Sequence, residues 1–288
     1  MTAVCRYPDA NRIALLPTIG SERMVLSLNP ASLNREAEAI VAKVKAEPLQ
    51  AGHRVALANV RLLQGQYHKA LQQMQVACQS DLEWAPQAQL VKMLVQSETV
   101  RQAVFAGSIQ ADLMAPAPVW LEAMMQALRS EPATQAAELR LQGLAQAPET
   151  AGVLNHNTAF EWFSDGDERL GPVLELYTAS RYFWLPIEQI ATVQLQPQGD
   201  VLDLLWLKAS VVLGGATQKK LTGYVPARYP SNQGKQEQGS EGEGEFETEW
   251  TPGLTEDGWH GCGQRVWYMD GEAAPITEVS HLAFNPTN

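Results

Sequence analysis

The sequence predicts an α+β protein of two domains, helical first and mainly β second. Three observations carry that expectation. Apolar residues recur at helical spacing from Leu33 to Leu144. After Pro148 short aromatic and β-branched runs replace that period. Prolines and glycines punctuate both halves near the ends of the periodic stretches. The expected boundaries are an irregular arm over 1–28, a helical domain over 29–150 and a mainly β domain over 151–288. A flexible loop is expected near 231–247, within which Gly234 to Gly244 is rich in Gly, Gln and Glu.

The arm shows no clear period, and Pro8, Pro17, Gly20 and Pro30 interrupt it, leaving room for one short strand. Asn29-Pro30 then reads as an N-cap followed by proline in the first helical turn. Leu33, Ala37, Ile40, Val41 and Val44 form one apolar stripe, and Glu47-Pro48 ends it. A second helix runs from about Ala51 to Gln64, with Val55, Ala58 and Leu62 on one face. A third carries Tyr67, Ala70, Leu71, Met74 and Ala77. A fourth shows Leu90, Met93, Leu94, Val100 and Val104, and stops at Gly107. Pro116 and Pro118 open a fifth with Trp120, Met124 and Leu128. Pro132 opens a sixth, with Ala137, Leu141 and Leu144 as its apolar stripe. Short connections predict antiparallel neighbours.

Gly65 to Leu71, followed by Met74 and Ala77-Cys78, resembles the helix-turn-helix core of a tetratricopeptide repeat. The glycine permits a tight turn, the aromatic fills the gap between repeats, and alanine allows close helix approach. The helical domain is therefore expected to be TPR-like, with an ordinary αα-hairpin as the alternative. Stacked repeats present a curved surface that takes peptide segments or helices.

Strands are expected at 159–163, within 177–185, and at 191–196, 205–213, 220–225 and 264–268, where apolar or aromatic residues alternate with polar ones.

Composition narrows the function. Hydrophobic residues make up 45% and charged residues 18%, so global disorder is excluded. The net charge of −11 repels phosphate backbones and anionic lipid, which argues against nucleic acid and membrane partners. The start of the chain shows no signal-peptide pattern. The most apolar stretch, Val201 to Leu213, is too short to span a bilayer. Cys5, Cys78 and Cys262 are too few for a disulfide framework. A cytoplasmic protein is expected.

Catalytic and metal motifs are not found. No Cys-x-x-Cys, paired-histidine zinc motif, P-loop or Gly-x-Ser-x-Gly elbow occurs. His260-Gly261-Cys262 reads as a turn rather than a metal site. Ser164 to Glu168 has the acidic start of a calcium loop without its remainder, and reads as a turn with exposed carboxylates. The expectation is a binding protein, not an enzyme, with no cofactor. The β domain is rich in aromatic residues, which build cores and also supply contact area at interfaces. The residues singled out for protein binding are Tyr67, Trp162, Arg181, Tyr182, Trp184, Arg228 and Tyr229. Arg181, Arg228 and Arg265 suggest a cationic rim around the aromatics.

An ordered series of segments resembles the ImpE/TagJ (SciE-type) family of type VI secretion system accessory proteins. It comprises Leu62 to Leu71, Phe160 to Trp162, Asp165 to Glu175, Arg181 to Pro186, Asp203 to Trp206, Val225 to Pro230, Thr248 to Trp250 and Gly261 to Arg265. The resemblance implies a helical, repeat-like domain before an α+β domain, and a non-enzymatic role. It also implies two partners: the N-terminal helix of the small (TssB-like) sheath subunit, and the ClpV-type AAA+ unfoldase that recycles the sheath. It supplies no catalytic residue. The arm before Asn29 and the Gln/Glu/Gly-rich loop are longer than the family's pattern. A scaffold for another cytosolic partner, and an enzyme with an unrecognised site in the β domain, are the alternatives.

Overall fold

A computed structural model of the chain describes residues 30–179, 181–215, 218–230 and 248–285, and the backbone of 13–15 and 25–27. The loop expected near 231–247 and most of the arm expected over 1–28 lie outside the described residues. Within the arm, β1 (Ile13–Leu15) and β2 (Val25–Ser27) pair antiparallel.

Six α-helices follow among the described residues. They are α1 (Pro30–Ala46), α2 (Ala51–Leu63), α3 (Tyr67–Ser80), α4 (Ala85–Phe105), α5 (Val119–Ala127) and α6 (Ala133–Gln146). Proline opens α1 and sits in the first turn of α4, where a missing N–H costs nothing. Gly65 turns the chain between α2 and α3 with φ +70°, a left-handed conformation that favours glycine. On α1 the spacing holds: Leu33, Ala37 and Ile40 are buried.

On α6 it does not. The buried face is Ala136, Arg140 and Gly143, while Leu141 is 54% exposed. Two contacts turn the helix this way. Arg140 meets a carboxylate from the β domain. Gly143 lets α5 approach, since a Cβ there would lie 2.8 Å from Met124 Cγ and 2.9 Å from the Trp120 carbonyl.

Strands occupy the rest of the described chain. They begin with β3 (Gly152–Leu154), β4 (Thr158–Phe160), β5 (Phe163–Asp165), β6 (Val173–Thr178) and β7 (Arg181–Pro186). Next come β8 (Ile190–Leu195), β9 (Trp206–Leu213), β10 (Lys220–Pro226) and β11 (Glu249–Pro252). The last are β12 (Trp259–Cys262), β13 (Val266–Met269), β14 (Glu272–Pro275) and β15 (His281–Phe284). An eight-stranded sheet runs β4-β3-β15-β8-β9-β10-β6-β7, with every pairing antiparallel. A three-stranded sheet, β14-β13-β5, and a β11-β12 ribbon complete the domain. His260 and Cys262, expected in a turn, lie in β12.

Alternation on β6 and β7 explains how the two halves join. Val173, Tyr177, Tyr182 and Trp184 pack into a core built mostly of helix residues, including Leu62, Val91, Leu94 and Trp120. Their strand neighbours Leu174, Leu176, Phe183 and Leu185 enter a second core with Phe163, Trp267 and Ile276. These central strands are therefore buried on both faces, and the helices share a core with the sheet. The outer edge of β7 is covered by Asp112. Its N–H donates to the Tyr182 carbonyl at 3.0 Å, and its carbonyl accepts from Trp184 N–H at 3.0 Å.

Candidate functional site

The contact between α4 and the sheet contains a knot of charge. Glu98 and Arg101 lie on the buried stripe of α4, 5% and 1% exposed. Arg101 donates from Nε and Nη2 to the two oxygens of Glu175 on β6, at 2.7 and 3.0 Å. Its Nη1 reaches Glu98 at 3.3 Å, and its Nη2 also donates to the Arg228 carbonyl at 3.0 Å. Tyr177 donates to Glu98 at 2.5 Å, and the Trp206 indole donates to the same oxygen at 3.3 Å. Tyr182 donates to Glu175 and accepts from the Trp184 indole. Arg265, fully buried, pairs with Glu175 and with Asp165, the latter at 3.4 Å. Burial raises the Tyr177 and Tyr182 hydroxyl pKa values, so both stay protonated donors. Burial brings Arg265 down to about 10, with Asp165 pulling the other way. Burial also lifts Asp165 to about 6, an effect its Arg265 partner only partly offsets.

The segment from Asp165 to Gly171 is a second knot. Asp165, Asp167 and Glu168 are 4%, 0% and 6% exposed, so the exposed acidic turn expected from sequence is corrected. Each carboxylate is drawn inward by a cation. Asp167 pairs with Arg169 at 2.5 Å and accepts from Gly261 N–H at 3.0 Å. Glu168 accepts from Arg140 of α6 at 2.9 Å and contacts His260 at 3.0 Å. It also accepts from Leu254 N–H at 2.6 Å and the Thr255 hydroxyl at 2.6 Å. Burial alone would raise its pKa, but the bonds from His260, Thr255, Leu254 and Arg140 pull it well below the usual carboxylate range. Arg265 is likewise no part of a cationic rim, because the carboxylates bury it.

The clefts among the described residues include two at the surface. One, of about 650 Å³, is lined by Gln110, Leu113, Met125 and Arg129 among others, on α5 and the segments flanking it. The other, of about 390 Å³, is lined by Trp162, Ser164, Asp165, Gly166, Trp250, Trp259 and Tyr268. Gly166 makes that second cleft, since a Cβ there would lie 2.4 Å from Trp250 Cη2. Among the described residues, no group of three or more His, Cys, Asp or Glu is placed to hold a metal ion. No helix among them is long and apolar enough to cross a membrane.

The residues singled out from the sequence scatter. Tyr182, Trp184 and Tyr229 are interior. Tyr229 donates to the Val266 carbonyl at 2.8 Å and accepts from Val266 N–H at 3.1 Å. Tyr67 is half-buried against Trp206, ring centroids 6.1 Å apart. Arg228 is half-buried beside the charge knot. Arg181 is exposed, pairs with Asp112 at 2.8 Å and lies over the Phe183 ring. Trp162 lines the aromatic cleft. Sequence reasoning passed over Glu98, Arg101, Arg140 and Glu175. For Glu98 and Arg101 the signal was position, because they continue the buried stripe of Val91, Leu94 and Val95.

Together these features define an α+β protein whose helical hairpins and antiparallel sheet share a core through buried ion pairs. The crystal structure of protein VPA1032 from Vibrio parahaemolyticus has the same fold. The two superpose with a TM-score of 0.75 at 23% identity, over 88% of this chain and 94% of that one. Residues 157–283 match the family model of the ImpE protein. The type VI secretion system accessory component TagJ of Pseudomonas aeruginosa is 30% identical over 267 residues, 91% of this chain and 90% of that protein. The chain belongs to the ImpE family, that of the type VI secretion accessory component TagJ.

Proposed function

We propose that the chain is a non-enzymatic, cytoplasmic accessory protein of a type VI secretion system. In this reading its helical region holds the N-terminal amphipathic helix of the small sheath subunit, and that grip serves sheath recycling by a ClpV-type unfoldase. The observation that carries the reading is the 30% identity to TagJ along 91% of the chain. The geometry is consistent with it. Leu49, between α1 and α2, is 86% exposed, and Leu82, between α3 and α4, is 80% exposed. An amphipathic helix docks through apolar anchors spaced three and four residues apart, and exposed apolar side chains are what such anchors need. The test is capture of the small sheath subunit by the immobilised full chain, with and without the subunit's first helix. Capture of the intact subunit alone supports the reading. Equal capture of both forms, or of neither, overturns it.

A further inference from the structure

The aromatic cleft between β5, β11, β12 and β13 has an uncommon composition. Trp162, Trp250, Trp259 and Tyr268 line it, and all four are half-buried. Three tryptophans outside the cleft are tied into the fold through their indole N–H, while the buried Trp267 Nε1 meets no acceptor among the described residues. The Trp120 indole donates to Glu188, Trp184 to Tyr182 and Trp206 to Glu98. In the cleft, the indole N–H groups of Trp162, Trp250 and Trp259 donate to no acceptor among the described residues. Three large rings thus stand partly open, and no described residue accepts from their indole N–H groups.

The charge around them has one sign. Residues 157–168 and 248–264 contain no Lys or Arg, and Arg265 is the one Lys or Arg between 248 and 285. Arg265 is buried against Glu175 and Asp165, and His260 is engaged by Glu168. Carboxylates, by contrast, adjoin each ring in sequence: Glu161 beside Trp162, Glu249 beside Trp250, and Glu256 and Asp257 just before Trp259. Those four are exposed. Asp165, a lining residue only 4% exposed, has an Oδ2 that accepts no hydrogen bond and only meets Arg265 at 3.4 Å. Aromatic faces attract cations, and the guanidinium group also stacks on them. A rim of carboxylates adds long-range attraction for the same charge.

We infer that this cleft is a docking site for a basic segment of a partner protein, an arginine side chain entering between the tryptophans. The site is separate from the helical region and adds a second point of contact to the chain. Anions are repelled from it. A neutral side chain of the same shape gains the packing but not the cation–π attraction.

The probe is the peptide Gly-Ser-Arg-Ser-Gly with blocked ends, titrated into the full chain labelled with ¹⁵N at its indoles. Matched peptides carry citrulline or glutamate in place of arginine. The arginine peptide is expected to shift the indole N–H signals of Trp162, Trp250 and Trp259 and to leave those of Trp184 and Trp206 unmoved. Citrulline should bind at least tenfold more weakly, and raised salt should weaken the arginine peptide alone. Trp259→Leu should abolish the shifts at the other two indoles while circular dichroism stays that of the parent. If that variant misfolds, the surface change Glu249→Lys serves instead and should also lower affinity at least tenfold. Citrulline or glutamate binding as tightly as arginine, full affinity in the variant tested, or no shift at the cleft indoles overturns the inference.

Discussion

Replacing Arg101 with methionine removes a charge from the interior while nearly keeping its volume. Arg101 is 1% exposed and makes four hydrogen bonds, two to Glu175 and one each to Glu98 and the Arg228 carbonyl. Glu175 keeps Arg265 and Tyr182 in the variant. Glu98 keeps only the neutral donors Tyr177 and Trp206. One buried carboxylate is then left without a cation, and breaking a buried pair in this way costs about 3–5 kcal/mol. For a chain of this size each kcal/mol moves the melting point by roughly 2–4 °C, so a fall of roughly 6–20 °C is expected. Thermal unfolding followed by tryptophan fluorescence measures it, because Trp184 and Trp206 surround the knot. The sign of coupling is the sharper test. Glu98→Gln should destabilise the parent but restore part of the loss in Arg101→Met, since there it removes the uncompensated charge. Arg101→Met melting within a degree or two of the parent, or additive losses in the double variant, would refute the argument.

Three further outcomes are expected. Gly223→Ala places a Cβ 2.2 Å from the Tyr177 carbonyl, so β10 and β6 must separate; the loss is about 1–3 kcal/mol by urea unfolding. Asp165 has a folded-state pKa near 6 against an ordinary 3.8, so the folded chain holds its proton more tightly than the unfolded chain. Its stabilisation is present below pH 3.8 and is lost as pH rises through 6; the stability of Asp165→Asn relative to the parent should therefore climb between those values and level off above, read from urea midpoints across the range. Leu49→Asp with Leu82→Asp should weaken capture of the small sheath subunit at least tenfold and leave the melting point nearly unchanged, because both side chains are already in solvent.

The helices were legible because their apolar stripes repeat over three or four turns. On α6 the stripe misled, since a buried Arg140 replaces an apolar residue and an exposed Leu141 imitates one. Charged residues read from sequence as solvated, and nothing local indicates that Glu168 finds Arg140, 28 residues away, or that Arg265 finds Glu175, 90 residues away. Five sheet strands are three or four residues long and were missed: β3, β11, β12, β14 and β15. Strands this short carry too few residues to display a period. Of the aromatic residues singled out, Trp162 lies in an open cleft while Tyr182, Trp184 and Tyr229 build the interior. Composition cannot separate those uses, because a tryptophan suits a core and a contact surface alike.

The central claim is that the chain receives the amphipathic first helix of the small sheath subunit. Isothermal titration of the full chain with that helix as a synthetic peptide tests it most directly. The account predicts a saturable one-to-one heat with a negative heat-capacity change, the mark of apolar surface leaving water. A flat titration, or equal binding by a scrambled peptide that has lost its apolar face, would contradict it.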